Sequence, residues 1–237
     1  MSATRQAGIE ALFVTDLVNT RWLSGFSGSN GWLLVTADDV TLFTDGRYGD
    51  QARHQLSAAG IEAEVSVGTT RAKMVGALAA AVSSRSISRL GFEADNLTVA
   101  DHAGFTAAVG TEWVATTGVV EPLRRCKDQG EIDRVARAAA IADDALGATL
   151  GLLSSEPTEA SFRDALEAAM RAGGADGPSF DTIIAAGANA ALPHHHPDHT
   201  RIVEGMTVVV DFGALYDGYH SDMTRTFCIG DPTPMQA

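Results

Sequence analysis

The stretch Thr207-Val-Val-Val-Asp211-Phe-Gly-Ala-Leu-Tyr-Asp217-Gly218-Tyr-His-Ser-Asp222-Met-Thr224-Arg-Thr-Phe227 decides how the second half of this chain folds. Asp217-Gly218 suits the tight turn of a β-hairpin. With a two-residue turn, Tyr216 pairs with Tyr219, Gly213 with Asp222, and Asp211 with Thr224. Asp211 and Asp222 then share a face as diagonal neighbours, roughly 7–8 Å apart between backbones. Apolar strand residues (Val208 to Val210, Phe212, Phe227) flank them, and ionised carboxylates in such surroundings are costly unless a cation offsets them. A pair of metal ions about 3.5–4 Å apart fits that gap. Aspartates at turns and strand ends are equally common as structural features, and Asp217 is read as one of these.

A second signal is Ala191-Leu-Pro-His194-His195-His196-Pro-Asp-His199. Histidines can bind metal or act as acids and bases. A proline-flanked run of four is also a common surface turn. Pro193 and Pro197 exclude a zinc-binding helix here, because proline cannot sit in a helix interior. On the hairpin, His220 falls on the face of the two aspartates and is read either as a ligand or as a solvated turn residue. Thr224, opposite Asp211, is placed to donate a hydrogen bond to that carboxylate if it holds a metal.

Bulk properties bound the function. The 237 residues allow one large domain or two ordinary ones, and 45% hydrophobic with 20% charged residues is ordinary for a soluble globular chain. A formal charge of −13 argues against nucleic acid as a partner, since phosphate binding needs clustered Lys and Arg. No apolar run reaches the ~18 residues that would span a membrane. The N-terminus lacks the apolar core of a secretory signal. Cys126 and Cys228 lack ligand-like spacing and read as buried or neutral thiols, so the expected location is cytoplasmic.

Along the chain, Ala11–Val14, Gly31–Thr36 and Val40–Thr44 read as strands, and Gly49–Ala59 and Thr70–Ser83 as helices. Ile61–Val67, Arg89–Glu93 and Glu112–Ala115 supply further strands of a mixed α/β domain. Gly25-Phe-Ser-Gly-Ser-Asn-Gly31 lacks phosphate-loop spacing and reads as a tight connection between strands. Asp45-Gly-Arg47-Tyr is a turn into a helix, with an arginine able to reach across an interface. Pro122 disfavours helix and marks a boundary. Beyond it, Ile132, Val135, Ala139, Ala142 and Leu146 give an amphipathic helix over 131–150. Thr158 and Glu159 open a second, with Phe162, Leu166 and Met170 on one stripe and Gly173-Gly174 as its stop. Three strands follow, over 180–186, 207–212 and 219–229.

At this point the residues resemble the Xaa-Pro peptidases (aminopeptidase P, prolidase and relatives) of the pita-bread metallopeptidase fold, over nearly the whole chain. In the first half the resemblance rests on Phe13-Val-Thr-Asp16, on Asn19 to Gly31 and on Thr44-Asp-Gly-Arg-Tyr48. In the second it rests on Arg124 to Ile132, Phe180 to Gly187, Pro193-His-His195 and, most specifically, Asp211 to Phe227. It implies an α/β creatinase-like N-terminal domain (1–122) followed by the first half of an α+β pita-bread catalytic domain (126–237). It implies hydrolysis of the peptide bond before proline by two divalent metal ions, manganese foremost and cobalt or zinc otherwise, which activate water for the attack. Asp211 would bind one metal through both oxygens, Asp222 would bridge both, and His194 would hydrogen-bond the substrate. Short proline-containing peptides are the implied partners, and a homodimer the implied assembly.

The same resemblance requires one more histidine and two glutamates downstream of the Thr-Arg-Thr segment. The chain reaches Ala237 ten residues after Phe227, so on this expectation it is C-terminally truncated and carries two ligands of five. The alternatives are a non-catalytic peptide-binding or assembly protein, and a metal-independent hydrolase of creatinase type, which has no need of the two aspartates.

Overall fold

A computed structural model describes residues 8–236 of the chain. Two compact units divide between Cys126 and Lys127. The first is built on six strands: β1 (Ala11–Val14), β2 (Gly31–Val35), β3 (Val40–Asp45), β4 (Glu64–Gly68), β5 (Arg89–Glu93) and β6 (Glu112–Thr116). Their order is β4-β3-β2-β1-β5-β6, with β2 antiparallel to β1 and β3, and the outer pairings parallel. Helices cover both faces, so β1, at the sheet's centre, is buried along its whole length. On one side Phe13, Trp32, Leu34 and Phe43 pack with Met74 and Leu78 of α3 (Arg71–Ser84) and Phe105 of α4 (Val99–Ala108). On the other, Leu12, Val14, Leu33 and Leu42 meet Ala52 and Leu56 of α2 (Gly49–Ala58) and Phe26.

Local chemistry explains the elements that the periodicity did not reveal. α1 (Leu17–Ser24) starts where the Asp16 carboxylate accepts from the N–H groups of Val18 and Asn19. It stops at Gly25, whose φ of 74° only glycine adopts cheaply. The glycine-rich segment after it therefore joins a helix to a strand, not two strands. In α1 and α4 the apolar residues are too few or too evenly spread to show a stripe. The Arg47 guanidinium donates two hydrogen bonds to Asp45, at 2.8 and 3.0 Å, and its backbone N–H a third at 2.9 Å. Pro122 does not prevent helix: α5 (Glu121–Arg124) holds it in the first turn, where a missing N–H costs nothing.

The second unit places α6 (Gln129–Thr149) and α7 (Glu159–Ala172) against two three-stranded sheets. Asp128 with Glu131, and Thr158 with Ser161, close reciprocal capping boxes at the two helix starts. The buried stripe of α6 is Ala138, Ile141, Ala142, Ala145 and Leu146; Ile132 is 47% exposed, so the expected stripe is right only at Ala142 and Leu146. One sheet is β12-β9-β8, comprising β8 (Ile183–Ala186), β9 (Thr207–Phe212) and β12 (Met223–Cys228). The other is β11-β10-β7, comprising β7 (Gly177–Pro178), β10 (Ala214–Tyr216) and β11 (Tyr219–His220). Of the three expected strands, 207–212 is found as β9, 180–186 shortens to β8 and 219–229 divides into β11 and β12, while β7 and β10 are additional. A single hairpin register runs through both sheets: Tyr216 pairs with Tyr219, and Asp211 with Thr224.

The ladder changes sheets at Gly213, and only glycine fits there. A Cβ at this position would lie 1.9 Å from the carbonyl oxygen of Ser221. Ser221 is buried, and its hydroxyl accepts from the N–H of Ala214 and donates to the carbonyl of Ala138 on α6. The turn takes φ of 46° at Asp217 and 79° at Gly218, the two positive angles of a type I′ hairpin. Arg134 of α6 donates to Asp217 at 2.6 Å. Among the described residues, no helix is long and apolar enough to cross a membrane.

Candidate metal and substrate site

Asp211 sits on β9 between Ile183 of β8 and Thr224 of β12. Side chains alternate across the strand: Val208, Val210 and Phe212 are fully buried in the core, while Thr207, Val209 and Asp211 are half-buried on the other face. The flanking apolar residues named from sequence therefore lie mostly behind the carboxylate, not beside it. Phe227, partner of Val208, packs with the core as well. Of those apolar residues, only Val209 shares the strand face of Asp211. The desolvation argument for a cation is weaker than the sequence suggested, because Asp211 keeps access to solvent.

Its hydrogen bonding favours a ligand role on different grounds. Thr224 Oγ1 donates to Asp211 Oδ1 at 2.8 Å, which orients the carboxylate. No Lys, Arg or His lies within ion-pair distance of Asp211 or Asp222 among the described residues. Asp222 is exposed, one position beyond Ser221 where the hairpin passes between sheets. Counting on from the Met223–Phe212 pair sets it opposite Gly213, outside the paired strands. Two carboxylates without a cationic partner, one of them held by a neutral donor, are a donor set that suits a hard divalent ion. Among the described residues, no third His, Cys, Asp or Glu joins them in a group of ligand atoms within 4.8 Å. His220 is exposed, and its Nδ1 lies 2.9 Å from Ser179 Oγ.

His194 is exposed in the loop after a short 3-10 turn (Gly187–Ala191). Its neighbour His195 turns inward, with its side chain 10% exposed, and its Nε2 meets Oε2 of Glu159 at 2.6 Å. Sequence reasoning used Glu159 only as a helix opener. It is instead a carboxylate with 0% exposure that also accepts from the N–H of Ala186, the amide of Asn189 and the N–H of Asp198. The available signal was a carboxylate right after a capping Thr, which cannot be told from an ordinary first-turn acid without the fold.

Comparison with known proteins places these features. Residues 2–126 match the creatinase/prolidase N-terminal domain, and residues 133–237 match metallopeptidase family M24. The chain belongs to this family. It is similar to an uncharacterized peptidase of Bacillus subtilis, 37% identical over 229 residues, or 96% of this chain and 63% of that one. Among solved structures, the Xaa-Pro dipeptidase from Bacillus anthracis matches with a TM-score of 0.93 at 35% identity, over 99% of this chain and 64% of that chain. The X-Pro aminopeptidase from Thermotoga maritima matches at 0.89 and 29% identity, over 99% of this chain and 67% of that one. The chain thus spans somewhat less than two thirds of the first of these relatives. As an M24 member with a creatinase/prolidase N-terminal domain, it has the expected α/β unit followed by part of the M24 domain.

Proposed function

We infer that the protein containing this chain hydrolyses the peptide bond before proline in short peptides, with Asp211 and Asp222 as two of the ligands to a pair of divalent ions. The observation that supports this reading is the hairpin: its register pairs Asp211 with Thr224, and among the described residues neither Asp211 nor Asp222 has a cationic partner, in a chain whose second half matches a metallopeptidase family. Asp211 would ligate with its orientation set by Thr224, and Asp222 would bridge the two ions. His194, exposed on a loop that is anchored on both sides, would hydrogen-bond the substrate. Bound ions would supply electrophilic activation of the scissile carbonyl and a more acidic water, with manganese the favoured metal.

The relatives named Xaa-Pro dipeptidase and X-Pro aminopeptidase support the substrate class. We assign residues 1–122 to the substrate-restricting N-terminal domain and 126–237 to the catalytic one, in a cytoplasmic homodimer. The test is an Ala-Pro hydrolysis assay with added manganese on the complete reading frame, beside calorimetric metal titration. Asp222→Asn should remove tight metal binding and activity together. Activity retained in that variant would overturn the bridging assignment.

A further inference from the structure

The loop that presents His194 has no regular structure beyond the short 3-10 turn, yet its backbone is held at several points by one end of α7. The N–H groups of Glu159 and Ala160, which no helix can satisfy internally, donate to the carbonyls of Thr200 and Asp198 at 3.0 Å each. Thr158 forms an isolated bridge with Arg201. The Glu159 side chain takes four more partners in the same segment. Oε1 accepts from Ala186 N–H (2.7 Å) and Asn189 Nδ2 (3.0 Å), and Oε2 from Asp198 N–H (3.2 Å). With both oxygens accepting, the His195 ring completes the set as a donor through Nε2–H, at 2.6 Å.

We propose that Glu159 is a positioning residue: its buried carboxylate, clasped by His195, fixes the 187–199 loop and thereby the place of His194. Anchors lie on both sides of His194, at Asn189 before it and at His195 and Asp198 after it. Freeing them would let the imidazole explore the loop's whole range, and a misplacement of the order of 1 Å can cost about a hundredfold in rate. Glu159, His195 and Asp198 also form the one trio among the described residues whose ligand atoms lie within 4.8 Å of one another. A cation there is the weaker reading. Both Glu159 oxygens are already occupied by N–H donors, and an ion would have to displace the His195 bond. The proposal rests on the substrate-binding reading of His194 for its functional consequence, but not for its structural content.

The test uses the labelled 237-residue chain. Glu159→Gln and the milder His195→Ala should raise amide exchange across 187–199 by roughly tenfold while leaving α6 and β9 unchanged. They should also move the His194 ring signals, assigned by their loss in His194→Ala. Ile141→Val, a core change on α6 that removes no hydrogen bond of Glu159 or the loop, should leave those signals in place. Unchanged loop exchange, exchange raised equally throughout the second unit, or His194 signals that follow Ile141→Val would each overturn the proposal. So would zinc chloride binding that disappears in Glu159→Gln, which would make the trio a cation site. The reading of His194 fails separately, if His194→Ala in the complete reading frame leaves Xaa-Pro cleavage intact while the loop results stand.

Discussion

Thr224 and Asp211 are direct partners across the β9–β12 ladder, and the Thr224 hydroxyl donates to the Asp211 carboxylate at 2.8 Å. The bond leaves Oδ2 open and sets the plane in which the carboxylate can meet an ion. Thr224→Val keeps the strand propensity and the shape while deleting the donor. It should weaken divalent-metal affinity by about 10- to 100-fold, as outer partners of ligating groups commonly do. Titration calorimetry with manganese, beside an unchanged circular dichroism spectrum, checks this; unaltered affinity would show that the bond is incidental.

Gly213 permits the hairpin to pass from one sheet to the other. Gly213→Ala drives a methyl group into the Ser221 carbonyl, and backbone on both sides must give way. The expected loss is at least the ~1–3 kcal/mol typical of overpacking. A urea denaturation midpoint equal to the parent's would mean that the crossing relaxes freely.

Asp217 holds a φ of 46° and pairs with Arg134 on the surface. The turn angle and the ion pair are separable. Asp217→Asn tolerates the angle and removes the charge, and should cost under about 1 kcal/mol, as exposed pairs do. Asp217→Val should cost about 1–2 kcal/mol more, because a β-branched residue resists the left-handed region. Equal thermal stabilities for the two variants would contradict the type I′ assignment.

Tyr219 offers a pH-dependent signature. Its hydroxyl donates to Glu131 at 2.9 Å, and burial together with that bond pushes the phenol up to about 12. An unfolded tyrosine titrates near 10. The native state therefore keeps the proton longer, and the stabilising contribution is whole below pH ~10 and lost as pH rises through ~12. Tyr219→Phe should flatten the fall in stability over that window and remove the latest phenolate absorbance. A difference spectrum in which all tyrosines ionise together near 10 would refute it.

In the first unit, Glu93 accepts from the N–H groups of Thr15 and Asp16 and from the Asn19 amide, at 2.7 to 2.8 Å. Asn19 continues to Glu121, and Arg124 donates back to Asn19. Glu93→Ala strands those donors and should cost about 1–3 kcal/mol for each one left unpaired in the interior. Denaturant unfolding measures it, with Glu93→Gln expected in between.

Much of the second unit was legible from residues alone, and the reason is that its signals are local. The turn dipeptide at Asp217-Gly218 sets the pairing of every residue behind it, because an antiparallel hairpin of fixed loop length has one register. Asp211 opposite Thr224 follows from that arithmetic. Thr158 and Gly173 bracket α7 for a similar reason, since a cap is chemistry between residues three apart. The stripe of α6 was read less well. Ile132 fits a helical period, yet period alone does not say which of two overlapping stripes meets a core.

What the amino-acid order determined by itself was the family pattern and the hairpin register that sets Asp211 opposite Thr224. Tertiary structure alone decided which side of β9 is buried, so that Val208, Val210 and Phe212 turned out to lie behind Asp211 rather than around it. It alone divided one hairpin between two sheets at Gly213, and it alone joined Glu159 to His195. The difference is physical. Register and caps are settled by neighbours along the chain, whereas burial and long-range hydrogen bonds depend on which distant surface arrives, and no residue type announces its partner 36 positions away.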